Sequence, residues 1–358
     1  MALTNPTLEK YVNKGRTGLR NIGNTCFLNS CIQVLNHSYE LIEVLNSNKI
    51  KKHYRDIPDI RILLEWNELR ELMWQNEGTI SPNKFVFNVH SLAMDKGREM
   101  FTGYAQNDLT EFLLFMIECI HNSICRERKI NIHGSIGTFQ DEVAFECFSL
   151  LKTVFSKEYS EIVDLFYGIT VNEIYSLDNR TRYKVNPAIF FMIDLPLPPF
   201  SSNEEQASIY DCFDLYIKDE LMEGENAWLN EKTDQKEDII KKIRFWKLPK
   251  ILVVTLQRFS HDGERKIHNH ISFPLDNLDL TKYTINYLNE PLLYECYGIC
   301  NHFGNFSGGH YTSLVKNASN EWVHYNDDSL EKIEGDPADK IITPYAYCLF
   351  YRKKNSIV

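Results

Sequence analysis

Apolar residues recur at helical spacing in the first third of the chain and at strand spacing later on. Between Gln106 and Ile124, positions Leu109, Phe112, Leu113, Met116, Ile117, Ile120 and Ile124 fall along one helical face. Asp108 with Glu111 three residues on makes an acidic variant of the helix-start box. A second helix is predicted from Cys26, where Phe27, Leu28, Cys31, Ile32 and Leu35 recur at the same spacing behind Asn24 or Thr25 as N-cap. Residues 18 to about 125 therefore read as mostly helical. From about residue 140 the pattern turns to β, with candidate strands at 161–175, 182–195, 250–259, 293–300, 311–316, 321–326 and 345–352. The run ILVVTLQRF is nearly continuous in apolar character and suits a strand covered on both faces. YTSLV and WVHY alternate, which suits strands with one wetter face. Residues 196–238 are polar and acidic and read as exposed connections; residues 1–17 read as a loose polar lead-in. Helices first and antiparallel-looking strands afterwards give an α+β class.

Composition narrows the function classes. The chain has 358 residues, 43% hydrophobic and 25% charged, enough for a large core without covalent staples. Its net charge of −10 argues against nucleic acid as the main partner. The longest apolar runs, FLLFMI and AIFF, are too short to span a bilayer, and MALTNPTLEK has no apolar signal segment, so no membrane partner is expected. Nine cysteines are scattered with no C-x-x-C pair. A reducing compartment, cytoplasmic or nuclear, is the expectation.

Candidate chemistry begins at GLRNIGNTCFLNS, which places Cys26 just after a Gly-Asn-Thr turn and at a helix start. There the helix dipole and unpaired N–H groups favour a thiolate. The segment fits a prepared nucleophile; it also fits a buried structural cysteine ending a loop. A base is available in NHFGNFSGGHYTSLV, where His310 follows Gly304, Gly308 and Gly309 at the mouth of a strand. Farther on, EWVHYNDDSL runs an apolar strand into Asn326, Asp327 and Asp328. A polar side chain there is placed to orient the imidazole, completing a Cys-His-Asn/Asp arrangement.

GLRNIGNTCFLNSCIQVL resembles the cysteine box of the ubiquitin-specific proteases, and SGGHYTSLVKN with WVHYNDDSL resembles their histidine box. YAQNDLTEFLLFMI is similar to the family's Gln-Gln-Asp-Ala-x-Glu-Phe-Leu segment. LPKILVVTLQRFS and ISFPLDNLDL are similar to its Leu-x-Arg-Phe and Phe-Pro segments. Four matches in family order cover roughly residues 18 to 352. The resemblance implies a papain-like cysteine protease fold with a helical thumb (about 18–125) and an antiparallel β palm with β fingers (about 126–352). Residues 1–17 would be an extension and 353–358 a tail. It implies that Cys26 is the nucleophile, His310 the general base and acid, and Asn326 the orienting residue, with Asp327 able to share that duty. Asn21 matches the family's oxyanion donor. Gly308 and Gly309 would line a cleft too narrow for side chains, Tyr311 would cover it, and Asp108 would meet arginines near the substrate's Gly-Gly end. The expected partners are ubiquitin and ubiquitinated proteins, and the expected state is a monomer.

The chain departs from the family at the fingertips, where many members bind zinc through two C-x-x-C pairs. Those positions fall near Ser176, Asn179, Asn230 and Thr233, whose hydroxyls and amides are poor zinc ligands, so no metal or other cofactor is expected. Two other readings stay open: a protease for a ubiquitin-like modifier with the same Gly-Gly end, and a catalytically silent ubiquitin-binding scaffold.

Overall fold

A computed structural model describes residues 6–354, apart from 76, 104, 179, 203, 261–264, 286, 288–290, 306–307 and 336. Helix α1 (Cys26–Asn36) is buried at every position. A helix buried all round must have its polar side chains paired. Asn29 donates to the Leu19 carbonyl at 3.1 Å, Gln33 to the Thr17 carbonyl at 2.8 Å, and Asn36 accepts from the Trp74 indole at 2.7 Å. Around it pack α2 (Tyr39–Asn46), α3 (Ile60–Gln75), α4 (Asn83–Asp95) and α5 (Leu109–Ile124), sharing one apolar cluster with it. The helical character expected of the first third is borne out.

The lead-in is not loose from Tyr11 onward. Tyr11 is buried, stacks on Tyr39 at 4.7 Å and donates to Glu43. The Gly15 carbonyl accepts from the Tyr325 hydroxyl at 2.8 Å, and Thr17 donates to the Met73 carbonyl at 2.9 Å. One aromatic in a polar stretch was enough to anchor it. Strand β1 (Thr17–Leu19) then pairs in parallel with β2 (Gly78–Ile80).

The switch to β comes later than the sequence pattern indicates. Helix α6 (Phe139–Phe155) starts at a capping box in which Thr138 and Asp141 bond each other's backbone N–H groups at 3.2 and 2.8 Å. Helix α7 (Glu161–Phe166) takes the first part of the expected strand 161–175. Its apolar run is too short for periodicity to separate helix from strand. The finger strands follow: β3 (Gly168–Ser176) and β4 (Arg182–Phe190), then the edge strand β5 (Met192–Leu195) of the main sheet. The acidic stretch holds α8 (Ile209–Tyr216), β6 (Glu220–Met222), β7 (Trp228–Asn230) and β8 (Gln235–Glu237), before β9 (Ile239–Lys247). The finger sheet runs β4–β3–β9–β6, and α6 covers it through Val143, Ala144 and Cys147 against Ile169, Val171 and Trp246.

The main sheet uses β10 (Ile251–Leu256), β11 (Leu293–Asn305), β12 (Gly308–Lys316), β13 (Trp322–Asn326), β14 (Ser329–Lys332) and β15 (Ala346–Lys353). Their order is β14–β13–β12–β11–β15–β10–β5. All pairs in that order are antiparallel except β10 with β5. Every residue of β10 is buried, as its continuous apolar run requires. Helix α1 lies against β12, which brings the N-terminus of one to the mouth of the other.

Candidate active site

Cys26 opens α1 with its side chain buried. The turn before it is held by Asn21, whose Oδ1 accepts from the backbone N–H groups of Gly23 and Thr25, each at 3.1 Å. Gly23 and Asn24 take positive φ to make that turn. Thr25 occupies the N-cap position without a capping bond; its hydroxyl instead accepts from Ile22 N–H at 3.1 Å. The Thr25 hydroxyl therefore caps none of the first N–H groups of α1.

The backbone N–H of Tyr311, one residue after His310, bonds toward the Cys26 sulfur. His310 Nε2 lies 2.6 Å from Asn326 Oδ1. An amide oxygen only accepts, so the Nε2 proton is donated to it and Nδ1 keeps its lone pair. Asn326 is thus the orienting partner of His310.

Asp327 is used differently from the shared orienting duty that the sequence allows. It sits in the two-residue β13–β14 turn with φ of 51°. Its Oδ2 accepts from Asn21 Nδ2 at 3.0 Å and its Oδ1 from Asn29 Nδ2 at 2.8 Å. Its carbonyl accepts from Leu19 N–H at 2.9 Å. One N–H of the Asn21 amide is held by Asp327, which leaves the amide its second N–H as a donor. Gly18 permits this contact, since a Cβ there would stand 2.4 Å from the Asp328 carbonyl oxygen.

The thiol does not behave as its helix position alone suggests. Burial pushes Cys26 above its ordinary value, outweighing the Tyr311 N–H, and the charge of Asp327 pushes the same way. A thiol pushed up in this way needs a base to become a nucleophile.

Asp108 is the N-cap of α5. Its Oδ1 accepts from Thr110 N–H at 2.7 Å, from Glu111 N–H at 3.3 Å and from the Thr110 hydroxyl. Its Oδ2, expected to face a substrate arginine, accepts from the hydroxyls of Tyr311 at 3.2 Å and Tyr347 at 2.8 Å. Cys26, Gln106, Asp108, Phe259, Gly308 and Tyr311 line a cleft of about 420 Å³. Gly309 admits no side chain: a Cβ would lie 2.2 Å from the Phe303 carbonyl oxygen and 2.4 Å from His302 Nε2.

Gln106 and His302, which line the cleft, and Asn29 and Lys266, which bond to residues of the site, were not singled out from the sequence. Gln106 Oε1 accepts from Gly309 N–H at 2.6 Å. Asn29 lies one helical turn beyond Cys26, a spacing that marks it in retrospect. His302 packs against Tyr311, ring centroids 4.6 Å apart and planes tilted by 33°, and accepts from Lys266 at 3.0 Å through Nδ1. Burial and Lys266 hold its pKa down at about 4.

At the fingertip, Asn230 and Thr233 both donate to Glu237 Oε1, at 2.7 and 3.0 Å, and Ser176 donates to Asp178 at 2.5 Å. Asn179 lies outside the described residues. These neutral donors, already turned onto carboxylates, do not fit a zinc site. Among the described residues no group of three or more His, Cys, Asp or Glu side chains is arranged to hold a metal.

The family model for ubiquitin carboxyl-terminal hydrolase matches residues 17–351. Ubiquitin carboxyl-terminal hydrolase Usp2 of Drosophila melanogaster is 30% identical over 349 residues, covering 95% of this chain and 35% of that protein. Human ubiquitin carboxyl-terminal hydrolase 2 is 29% identical over 348 residues, covering 94% of this chain and 55% of that protein. The chain thus spans between a third and just over half the length of these relatives. The SAGA Ubp8/Sgf11/Sus1/Sgf73 DUB module bound to ubiquitin aldehyde includes a chain of the same fold. The TM-score is 0.71 at 22% identity, over 95% of this chain and 70% of that one. The chain belongs to the ubiquitin carboxyl-terminal hydrolase family.

Proposed function

We propose that this chain is a thiol-dependent deubiquitinase that hydrolyses the peptide or isopeptide bond after the C-terminal Gly-Gly of ubiquitin. The observation that carries the reading is the His310–Asn326 pair at 2.6 Å on the strand whose next N–H reaches the Cys26 sulfur. The relatives carry the matching name, and the related DUB module was solved with ubiquitin aldehyde bound.

His310 Nδ1 takes the thiol proton as the sulfur attacks the scissile carbonyl carbon. Burial raises the thiol, so the sulfur depends on His310 to take its proton. The new C–S bond leaves an oxyanion, which accepts from the free Asn21 N–H and the Cys26 backbone N–H. As the C–N bond breaks, the imidazolium returns its proton to the leaving amine. Water, deprotonated by His310, then adds to the thioester carbon, and the sulfur leaves and is reprotonated. Asn326 holds the ring orientation throughout and takes no proton. Gly308 and Gly309 select a tail without side chains by exclusion.

The fingers are proposed to work without zinc, supported by the carboxylate bonding of Ser176, Asn230 and Thr233. Nine buried free thiols fit a reducing compartment, cytoplasmic or nuclear. The test is hydrolysis of ubiquitin bearing a C-terminal fluorogenic amide, run beside the same amide on related modifiers. Turnover of the ubiquitin substrate that disappears in Cys26→Ala supports the reading. Turnover of another modifier alone, or of none, overturns it.

A further inference from the structure

The Gly309 N–H is the group at issue. It faces away from β11, because its acceptor is Gln106 Oε1 across the cleft. Strand β13 pairs with β12 only from Ser313 onward, so at Gly309 this edge has no strand partner. An open strand edge with a free N–H is the surface on which an extended peptide adds itself, its own carbonyl accepting the bond. Gln106 places a side-chain amide there instead.

Its position matters as much as its chemistry. Tyr311 N–H reaches the Cys26 sulfur, and Gly309 lies two residues upstream on the same strand, about 6.6 Å away at strand rise. A tail ending in two glycines spans about the same length. Gln106 also lies flat against Gly308, whose added Cβ would stand 2.2 Å from Oε1 and 3.2 Å from Cδ. The side chain therefore occupies the strip that the last residues of an extended substrate must cover. Gln106 belongs to the segment leading into α5 and is itself exposed, so its side chain is free to swing outward without disturbing a core.

We propose that Gln106 is a latch: in the ligand-free chain its carboxamide stands in for the substrate backbone at Gly309, and the tail must displace it to reach Cys26. The latch rests on the deubiquitinase reading only for the identity of the tail. One carbonyl acceptor replaces another, so the bond to Gly309 gives no net gain on binding while the latch is present. Removing Gln106 restores that gain. It also discriminates by ligand: only an extended segment that offers a carbonyl at Gly309 and no side chain at Gly308 can replace it.

Two measurements test this on Cys26→Ala and Cys26→Ala/Gln106→Ala chains, with equal melting temperatures as the folding control. The first is amide hydrogen exchange at Gly309 without ligand, expected to be several-fold faster once Gln106 is gone; an unchanged rate overturns the latch. The second is the affinity for free ubiquitin, expected to rise about three- to ten-fold in the double variant. Unchanged or weaker binding overturns the latch and makes Gln106 a residue that shapes the cleft for substrate. If neither chain binds ubiquitin, the deubiquitinase reading fails, and the exchange rate at Gly309 alone decides the latch.

Discussion

The carboxylate of Asp327 lies 3.0 Å from the Asn21 amide nitrogen, while its neighbour Asn326 lies 2.6 Å from the His310 ring. Two adjacent residues of one turn thus serve opposite sides of the site. Asn326 bonds the proposed base, and Asp327 bonds the proposed oxyanion donor. Their variants should separate in kind. Asn326→Ala is expected to lower kcat by freeing the His310 ring, and Asn326→Asp, which keeps an acceptor oxygen at that position, should restore most of it. Asp327→Asn is expected to lower kcat on the order of tenfold or more, by loosening the Asn21 amide that it holds. Asn21→Ala should cost about 10²–10³ in kcat. An Asp327→Asn/Asn21→Ala double variant no worse than Asn21→Ala alone would confirm that Asp327 acts through Asn21.

The raised Cys26 thiol leads to a second expectation. A thiol whose pKa is raised in the fold loses its proton only at higher pH. In His310→Ala, the alkylation rate at Cys26 by iodoacetamide should climb through a midpoint above the usual thiol value of about 8.5. A plateau reached below pH 7 would show a thiolate that needs no base and contradict the raised thiol.

Acid should loosen the fold through two histidines. His37 and His302 are both held down at about 4 from 6.5, chiefly by burial. A depressed histidine favours the unfolded chain once that chain takes up protons. The stability is therefore fully present above pH 6.5 and is lost as pH falls toward 4. His37, wholly buried, accounts for a loss on the order of 3 kcal/mol across that window. Melting temperature followed from pH 7 to 4.5 should fall steeply, and His37→Leu should flatten the slope.

Asp108 joins helix capping to cleft construction, and two substitutions should divide these roles. Asp108→Ala removes the cap and should cost about 1 kcal/mol of stability. Asp108→Asn keeps a capping oxygen but gives up the carboxylate that receives Tyr311 and Tyr347. Stability near wild type with a raised KM for ubiquitin substrates is expected. An unaltered KM would place the Tyr311–Asp108–Tyr347 group outside substrate recognition.

Much of this was legible in the residues, and the rest was hidden for definite reasons. Helix α5 was readable because its apolar positions repeat over four turns and Asp108 caps it. Cys26, His310 and Asn326 were readable because each stands at an element boundary beside glycines or polar turn residues. Helix α6 was missed because Phe145, Phe148 and Val154 lie exposed on it and blur its period. Its capping box was the overlooked signal. The division of labour between Asn326 and Asp327 could not be read, since two adjacent polar residues in a turn point to different sides only once the turn's backbone is known. The Gln106–Gly309 bond joins positions 203 residues apart, and no local pattern reports it.

The most direct test of the whole account is reaction with ubiquitin carrying a C-terminal thiol-reactive group, followed by mapping of the adduct. One ubiquitin per chain, attached at Cys26, with the other eight cysteines unmodified, is the expected result. The adduct should vanish in Cys26→Ala and form far more slowly in His310→Ala. Absence of any adduct, or attachment at a cysteine other than Cys26, would contradict it.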